Sequence, residues 1–423
     1  MFAYLEARVV RPLAENQTLL ILCATTVVVM MGQGIISPVL PLYAQSFGVG
    51  TAMIGLTIAV FGAARLVVNL PAGFLSERYG RRLLLFGGPA LTAVGSLLSG
   101  LAPDFWWLLG FRFISGAGSA MYMTGAMILL TDITSEENRG RVMSIYQGSL
   151  LAGVSVGPGV GGFVAEAFGL DAPFFLVAAL AALAMVWSFG RMPETVHEAR
   201  RAAAKRYEGE RPPSDREGVL SLLARPDFLL VCMLSMSIFL TRTGGRLTLL
   251  PLLGENRFGM SPALLGLVFT MMTVLNLVTL APAGQMIDRL GRKAVIVPSA
   301  VVTGAALTLF AVSGDVWVFV LAAVIHGLGT GIVGPAPAAY AADISQPGMR
   351  GVSMGLYRTF GDAGFVVGPV LLGALADLAG FDWALAFNAL FLVSIALLFA
   401  VFARETLRRP VVPQPQEAVD AAR

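Results

Sequence analysis

Long apolar runs, broken by short polar and basic stretches, fill most of the chain. A hydrocarbon core of about 30 Å takes roughly 20 apolar residues of helix to cross. Twelve such segments are placed near residues 18–43, 51–76, 83–102, 105–131, 141–168, 172–190, 228–253, 261–287, 294–313, 316–342, 350–379 and 383–403. Each is expected to be helical, because in lipid every backbone donor and acceptor needs a partner within its own segment, and alternating strand patterns are absent. The first segment is too long and too far along for a cleaved signal peptide, and no small-residue cleavage site follows it.

Composition agrees with that pattern. Of 423 residues, 56% are hydrophobic and 13% charged, too few polar side chains to coat two or three soluble domains. A net charge of +3 invites a nucleic-acid reading, but the basic residues sit in short clusters between apolar runs, where they act as orientation signals. Cys23 and Cys232 lie inside apolar runs and offer neither a disulfide framework nor metal spacing.

With the N-terminus inside, the cytoplasmic segments collect Arg8, Arg11, Arg78, Arg81, Arg82, Arg139 and Arg141, and later Arg289, Arg292, Lys293 and Arg350. The opposite loops carry only Arg257, so both termini are expected in the cytoplasm of a cell-membrane protein. The expected organisation is an N-terminal six-helix bundle over 1–190, a cytoplasmic linker over 191–226, a C-terminal bundle over 227–409 and a disordered tail over 410–423. The linker mixes Arg200, Arg201 and Lys205 with Glu198, Glu208 and Glu210 around Pro212 and Pro213.

Adding 211 to a residue number in the first half repeatedly gives the same residue type in the second. Phe47 and Gly48 map to Phe258 and Gly259, Pro71-Ala72-Gly73 to Pro282-Ala283-Gly284, Gly116 and Gly118 to Gly327 and Gly329, and Asp132-Ile133 to Asp343-Ile344. The match runs on through Arg139-Gly140 and Arg350-Gly351 to Glu194-Thr195 and Glu405-Thr406 without a gap. The halves are therefore expected to be structural copies, with a substrate path near the midplane between them.

Within the repeat, Gly73-x-x-x-Glu77-Arg78-x-Gly80-Arg81-Arg82 and Gly284-x-x-x-Asp288-Arg289-x-Gly291-Arg292-Lys293 resemble the loop signature of the major facilitator superfamily, found between helices 2 and 3 and again between 8 and 9. Glu77 departs from the Asp more usual there. The resemblance covers essentially the whole chain and implies an all-α fold of two pseudo-symmetric six-helix bundles. It also implies that Glu77 meets the start of helix 11 near Gly351, that Asp288 meets the start of helix 5 near Gly140, and that Arg78 and Arg289 pair with Asp132 and Asp343. Such contacts would lock the cytoplasmic side; the alternative is that the arginines only obey the charge rule of orientation. In helix 5, Gly153, Gly157, Pro158 and Gly162 resemble the signature of the superfamily's drug:proton antiporters, and helix 11 repeats much of it with Gly364, Gly368 and Pro369. By physics alone these residues form close-packed, kinked interfaces.

Charges at membrane depth cost about 2.5–3.5 kcal/mol each on insertion scales and so are functional candidates. They are Arg65, Arg112, Arg242, Arg246, Arg358 and Asp362. Arg112 opens a stretch, Arg112 to Gly118, similar to the helix 4 motif that the family's antiporters link to proton transfer. An arginine stays charged, so its part would be to tune a carboxylate or hold an anion; a structural role, bonded to carbonyls, is the alternative. Asp362 is the one acid placed well inside a span, about 16 Å from the start of helix 11, with Arg358 one turn earlier. It is expected to be the protonatable coupling group, with a permanently paired structural ion as the alternative. Arg65, Arg242, Gln33, Asn276 and His326 are candidates for the substrate cavity; a lone histidine such as His326 is otherwise a packing residue. The Gly244-Gly245 pair between the helix 7 arginines suggests a discontinuous or gating segment.

The expected function is transport of a small amphipathic molecule by alternating access, foremost efflux in exchange for protons. The other readings are an organic-anion or metabolite permease, working as a proton symporter or uniporter, and a non-transporting sensor on the same scaffold. The partners expected are the cargo, protons and membrane lipids, with no nucleic acid, no cofactor and a monomeric state. No catalytic triad, phosphate-binding loop or metal cluster is present, and His197 and His326 are the only histidines, so an enzyme is not expected.

Overall fold

The computed structural model describes residues 16–134, 138–191, 222–333, 336–345 and 349–406, without the side chains of Arg139, Ala281, Asp288 and Arg350. The tail, and the linker up to residue 221, lie outside them. Among the described residues there are 12 helical spans long and apolar enough to cross a membrane, and no strand. We number them α1 (Gln17–Ile36), α2 (Thr51–Tyr79), α3 (Arg81–Gly100), α4 (Phe105–Asp132), α5 (Arg139–Phe168), α6 (Ala172–Arg191), α7 (Pro226–Phe258), α8 (Pro262–Leu290), α9 (Arg292–Ala311), α10 (Val316–Asp343), α11 (Arg350–Ala379) and α12 (Phe381–Phe402).

Local chemistry sets the ends. Asp104 caps α4 by accepting from the backbone N–H groups of Trp106 and Trp107, and Asp315 does the same for Trp317 and Val318 at α10. Those caps hold Trp106 and Trp317 outward at one end of the bundle, where an aromatic ring suits a lipid headgroup zone. The glycines with positive φ fall into three pairs related by the 211-residue repeat: Gly48 and Gly259, Gly80 and Gly291, Gly169 and Gly380. At Gly80 and Gly291 the φ values are 100° and 103°, a region costly for any side chain, which is why the chain can turn between two long helices on one residue.

The first apolar run, expected as a single helix, breaks at Ser37–Val39 and resumes as a short turn over Leu40–Gln45. The seventh span is continuous but changes gauge: α-helix over Pro226–Leu240, π-helix over Thr241–Leu249, then α-helix to Phe258. The wide turn is fastened by Thr248 Oγ1 donating to the Thr243 carbonyl, five residues back, at 2.9 Å. Gly244 lies in this turn, and a side chain there would run into the Gly368 carbonyl of α11.

Packing within each half is made at backbone distance. A Cβ on Gly157 would lie 2.5 Å from Gly34 Cα, and one on Gly88 would lie 2.6 Å from Tyr122 N. A Cβ on Gly153 would lie 2.5 Å from the Val27 carbonyl oxygen, while Gly364 and Gly368 sit against Met236 and Leu240 of α7. In membranes apolar burial does not separate helix contact from lipid contact, so this close approach carries the association.

Gly157→Ala should destabilise the fold by about 1–3 kcal/mol through overpacking, whereas Gly355→Ala, where a Cβ meets nothing within 4 Å, should not. Thermal unfolding in detergent, read by a thiol-reactive dye at the buried Cys23 and Cys232, measures both.

Candidate functional site: a cavity closed at one end

The two halves meet along α2 with α11 and α5 with α8. Both contacts are tightest toward the end that carries Gly48 and Gly259. A Cβ on Gly55 would collide with the Pro369 carbonyl and one on Gly266 with the Pro158 carbonyl; Gly373 abuts Thr51 and Gly162 abuts Pro262 in the same way. Every member of one contact maps onto a member of the other by the 211-residue repeat.

Charge completes that closure. Asp377 of α11 accepts from the backbone N–H groups of Thr51 and Ala52, at 2.7 and 2.9 Å, so it caps the first turn of α2 from the opposite half. Its repeat equivalent, Glu166 of α5, accepts from the Ala263 N–H of α8 at 3.0 Å. Pro262 stands where α2 has Thr51 and has no N–H, so Glu166 makes one such bond where Asp377 makes two. On the axis between them Gln45 donates to its own equivalent, Asn256, at 3.0 Å. A carboxylate at a helix N-terminus meets unsatisfied N–H groups and the positive end of the dipole. The sequence reading missed Glu166, Asp377, Gln45 and Asn256; the repeat, applied to polar residues outside the glycine motifs, would have paired them.

At the other end the Gly80 and Gly291 turns carry two equivalent ion pairs. Arg81 Nε donates to Asp132 at 2.9 Å, and Arg292 Nε lies 2.9 Å from an Asp343 carboxylate oxygen. The expected pairing through Arg78 and Arg289 is therefore corrected. Each helix stops at the glycine, and it is the arginine that opens the next helix, one residue past the turn, that faces α4 or α10. Arg78 instead stacks on Tyr79 with 5.3 Å to the ring centroid, and Arg289 is exposed. Arg81 and Arg292 also bond back to the carbonyls of Ser76 and Ile287, so each guanidinium ties three helix ends together. Glu77 is exposed, and the Asp288 side chain and the α5 start at Arg139 fall outside the described side chains. At Gly73, Gly284 and Gly351 a Cβ would meet nothing within 4 Å, in contrast with the tight glycines of the opposite end.

Between the two ends lies a cavity of about 350 Å³. Gln33, Arg65, Arg112 and Arg242 line it, with Phe61, Phe239 and Phe365 supplying its aromatic wall and no Asp or Glu among its lining residues. Gln33 is oriented by donating to Ser119 at 2.8 Å. Arg112 is 7% exposed, makes no hydrogen bond or ion pair to the described residues, and lies 4.6 Å from the Phe61 ring centroid. A cation–π contact is worth about 0.5–2 kcal/mol, less than the 2.5–3.5 kcal/mol or so that a buried cation costs. The expected alternative of an arginine bonded to neighbouring carbonyls is not what the geometry gives. Arg65, one turn from Phe61, lies 5.8 Å from the Phe365 centroid and within electrostatic reach of Asp362, Arg358 and Arg242.

The remaining candidates lie outside the cavity lining. Asp362 is half-buried on α11, with Arg358 and Arg65 as its electrostatic neighbours but no ion pair within 4 Å among the described residues. Asn276 donates to Thr330 at 3.2 Å, holding α8 to α10. His326 is buried against Phe310, with neither ring nitrogen hydrogen-bonded to the described residues. Arg246 bonds the Phe269 carbonyl at 3.4 Å and stacks on that ring, pointing toward α8 while Arg242 points into the cavity. No group of residues suited to hold a metal occurs among the described residues.

An all-helical, multi-pass membrane protein with a polar cavity between two related halves is the class these features define. The sequence profile of the Major Facilitator Superfamily matches residues 22–264 and again 234–422, and the chain belongs to that superfamily. It is accordingly a membrane transporter and not an enzyme. It is 25% identical over 369 residues to Multidrug resistance protein 2 of Bacillus subtilis, covering 86% of this chain and 90% of that one. It is 24% identical over 364 residues to the Quinolone resistance protein NorA of Staphylococcus aureus, with the same coverage of 86% and 90%. Among solved structures, a bacterial homologue of the human lysosomal transporter Spinster, in an inward-facing and occupied conformation, aligns with a TM-score of 0.78 at 14% identity, over 94% of this chain and 99% of that one.

Replacing Glu166 and Asp377 together by alanine removes the two interhelix caps and should raise the population open at that end severalfold. The labelling rate of Ile58→Cys, a cavity position, by a membrane-impermeant maleimide added from the Asp377 side reads that population; an unchanged rate would remove the latch role.

Proposed function

We propose that the protein exports a small amphipathic molecule across the cell membrane in exchange for protons, as a monomer, by alternating access of the cavity between the halves 1–190 and 227–409. The observation that carries this reading is the cavity itself, closed at one end by paired contacts that a rocking motion would break as a set. The arginines at the Gly80 and Gly291 turns, against Arg257 at the opposite end, support placing the turns and both termini in the cytoplasm. In that orientation the latch of Glu166 and Asp377 faces outward and the protein is in an inward-facing state. The resistance proteins to which the chain is similar support efflux as the direction.

Asp362 is the coupling acid in this proposal. It is the acid within electrostatic reach of Arg65, a cavity residue, so protonating it changes the charge that the cargo meets. Arg358, on its own helix, and Arg65, across the interface, are the charges that a change in its protonation acts on, and Arg112 adds positive charge to the same cavity. The cytoplasmic ion pairs of Arg81 with Asp132 and Arg292 with Asp343 keep the turns rigid while the halves rock.

In proteoliposomes, Asp362→Asn should abolish cargo accumulation driven by a pH gradient and keep gradient-free exchange. Accumulation in inside-out but not right-side-out vesicles is the result expected of an exporter. Driven transport surviving in Asp362→Asn would end the coupling role.

A further inference from the structure

We infer that the cargo is an organic anion: an aromatic molecule of one or two rings whose carboxylate, or a like oxyanion, is received by Arg112 in a cavity whose wall also carries Arg65 and Arg242. The inference rests on the reading of the cavity as the cargo site and adds the cargo's chemical class to it.

Three observations converge. Arg112 is a guanidinium buried to more than nine-tenths, lines the cavity and makes no hydrogen bond or ion pair to the described residues. Arginine does not shed its proton at any physiological pH, so this charge cannot be relieved by neutralisation. Its five donors form a planar fork matched to a carboxylate, and a face already stacked on Phe61 leaves the edge for that contact.

The second observation is the sign of the whole lining. Arg65 and Arg242 join Arg112 on the wall, no acid lines it, and Arg65 and Arg242 lie within electrostatic reach of each other. Asp362, which is not among the lining residues, lies within electrostatic reach of Arg65 and is itself shared with Arg358. One carboxylate among three arginines, outside the lining, leaves the cavity positive. A cationic cargo would meet repulsion there and find no acid to pair with.

The third is the aromatic wall of Phe61, Phe239 and Phe365, together with a volume of about 350 Å³ near the low end of the roughly 300–1,000 Å³ typical of ligand pockets. That combination takes a flat apolar body with one charged end. Arg65 and Arg112 belong to the first half and Arg242 to the second, so an anion between them relieves repulsion across the interface and draws the halves together. Cargo charge and closure are then linked through one set of side chains.

The test is equilibrium dialysis of the purified full-length protein with three probes on one ring system: 2-naphthoate, its neutral amide 2-naphthamide, and the cation 2-naphthylmethylammonium. The expected result is naphthoate binding at least tenfold tighter than either of the others. Arg112→Gln should lower naphthoate affinity to the level of the amide, and Arg112→Lys should restore part of it. Arg242→Gln, at a residue accessible from the cavity, should also weaken naphthoate, and it decides the matter if Arg112→Gln does not elute as a folded protein on gel filtration. Equal binding of the three probes, preference for the ammonium, naphthoate failing to bind at millimolar concentration, or undiminished naphthoate affinity in both glutamine variants would overturn the inference. Displacement of naphthoate by chloride, against a gluconate control, at concentrations comparable to naphthoate itself would also overturn it, by showing a halide site. Failure of the transport reading looks different: naphthoate would bind selectively to the cavity but show no flux in proteoliposomes.

Discussion

Backbone contact between helices at glycine and proline is the interaction on which the rest of this structure depends. In lipid, apolar side chains gain little by leaving one hydrocarbon neighbour for another, so association must come from close packing and from polar contacts that lipid cannot supply. Gly157 against Gly34 and Gly364 against Met236 give that closeness within each half, where it is permanent. Gly55 against Pro369 and Gly266 against Pro158 give it between the halves, where it must be reversible. In both contacts between the halves it is the carbonyl of a helix-interior proline, Pro369 or Pro158, that meets the glycine.

The repeat explains why the closing contacts come in pairs and why the chemistry does not. Asp377 with Thr51 and Glu166 with Ala263 are one device used twice, once on each side of the interface. Inside the cavity the symmetry is abandoned. Arg112 has Ala323 as its repeat equivalent, and the deep acid of α11 has no partner acid in α5. A scaffold that rocks needs balanced latches, whereas a site that recognises a molecule needs an uneven set of charges.

Much of the fold was legible in the sequence because its strongest constraint, backbone satisfaction in hydrocarbon, leaves helices as the solution for such apolar runs. Gly80 and Gly291 were legible as turns since few other residues allow the required φ. Partner choice was less so: Arg78 and Arg81 are three residues apart, and only the path of the chain after Gly80 decides which of them faces Asp132. The Gly244-Gly245 pair revealed a weak point in α7, but whether it breaks or widens depends on the Gly368 carbonyl against it, more than a hundred residues away. Of the cavity candidates, Gln33, Arg65, Arg112 and Arg242 share one wall while Asn276 and His326 turn to packing contacts, a difference of helix rotation that composition cannot convey.

A buried charge with no partner is a standing cost, and a protein keeps one only where something else is gained. Arg246, the nearest comparison in this chain, has a carbonyl and a ring to hold it and stays out of the cavity. Among the described residues Arg112 has the ring alone. Arg65 and Arg242 come from opposite halves, so their mutual repulsion opposes the approach of those halves. In the anion site inferred above, a cargo carboxylate would offset that repulsion, so the charge of the cargo and the approach of the halves bear on the same side chains.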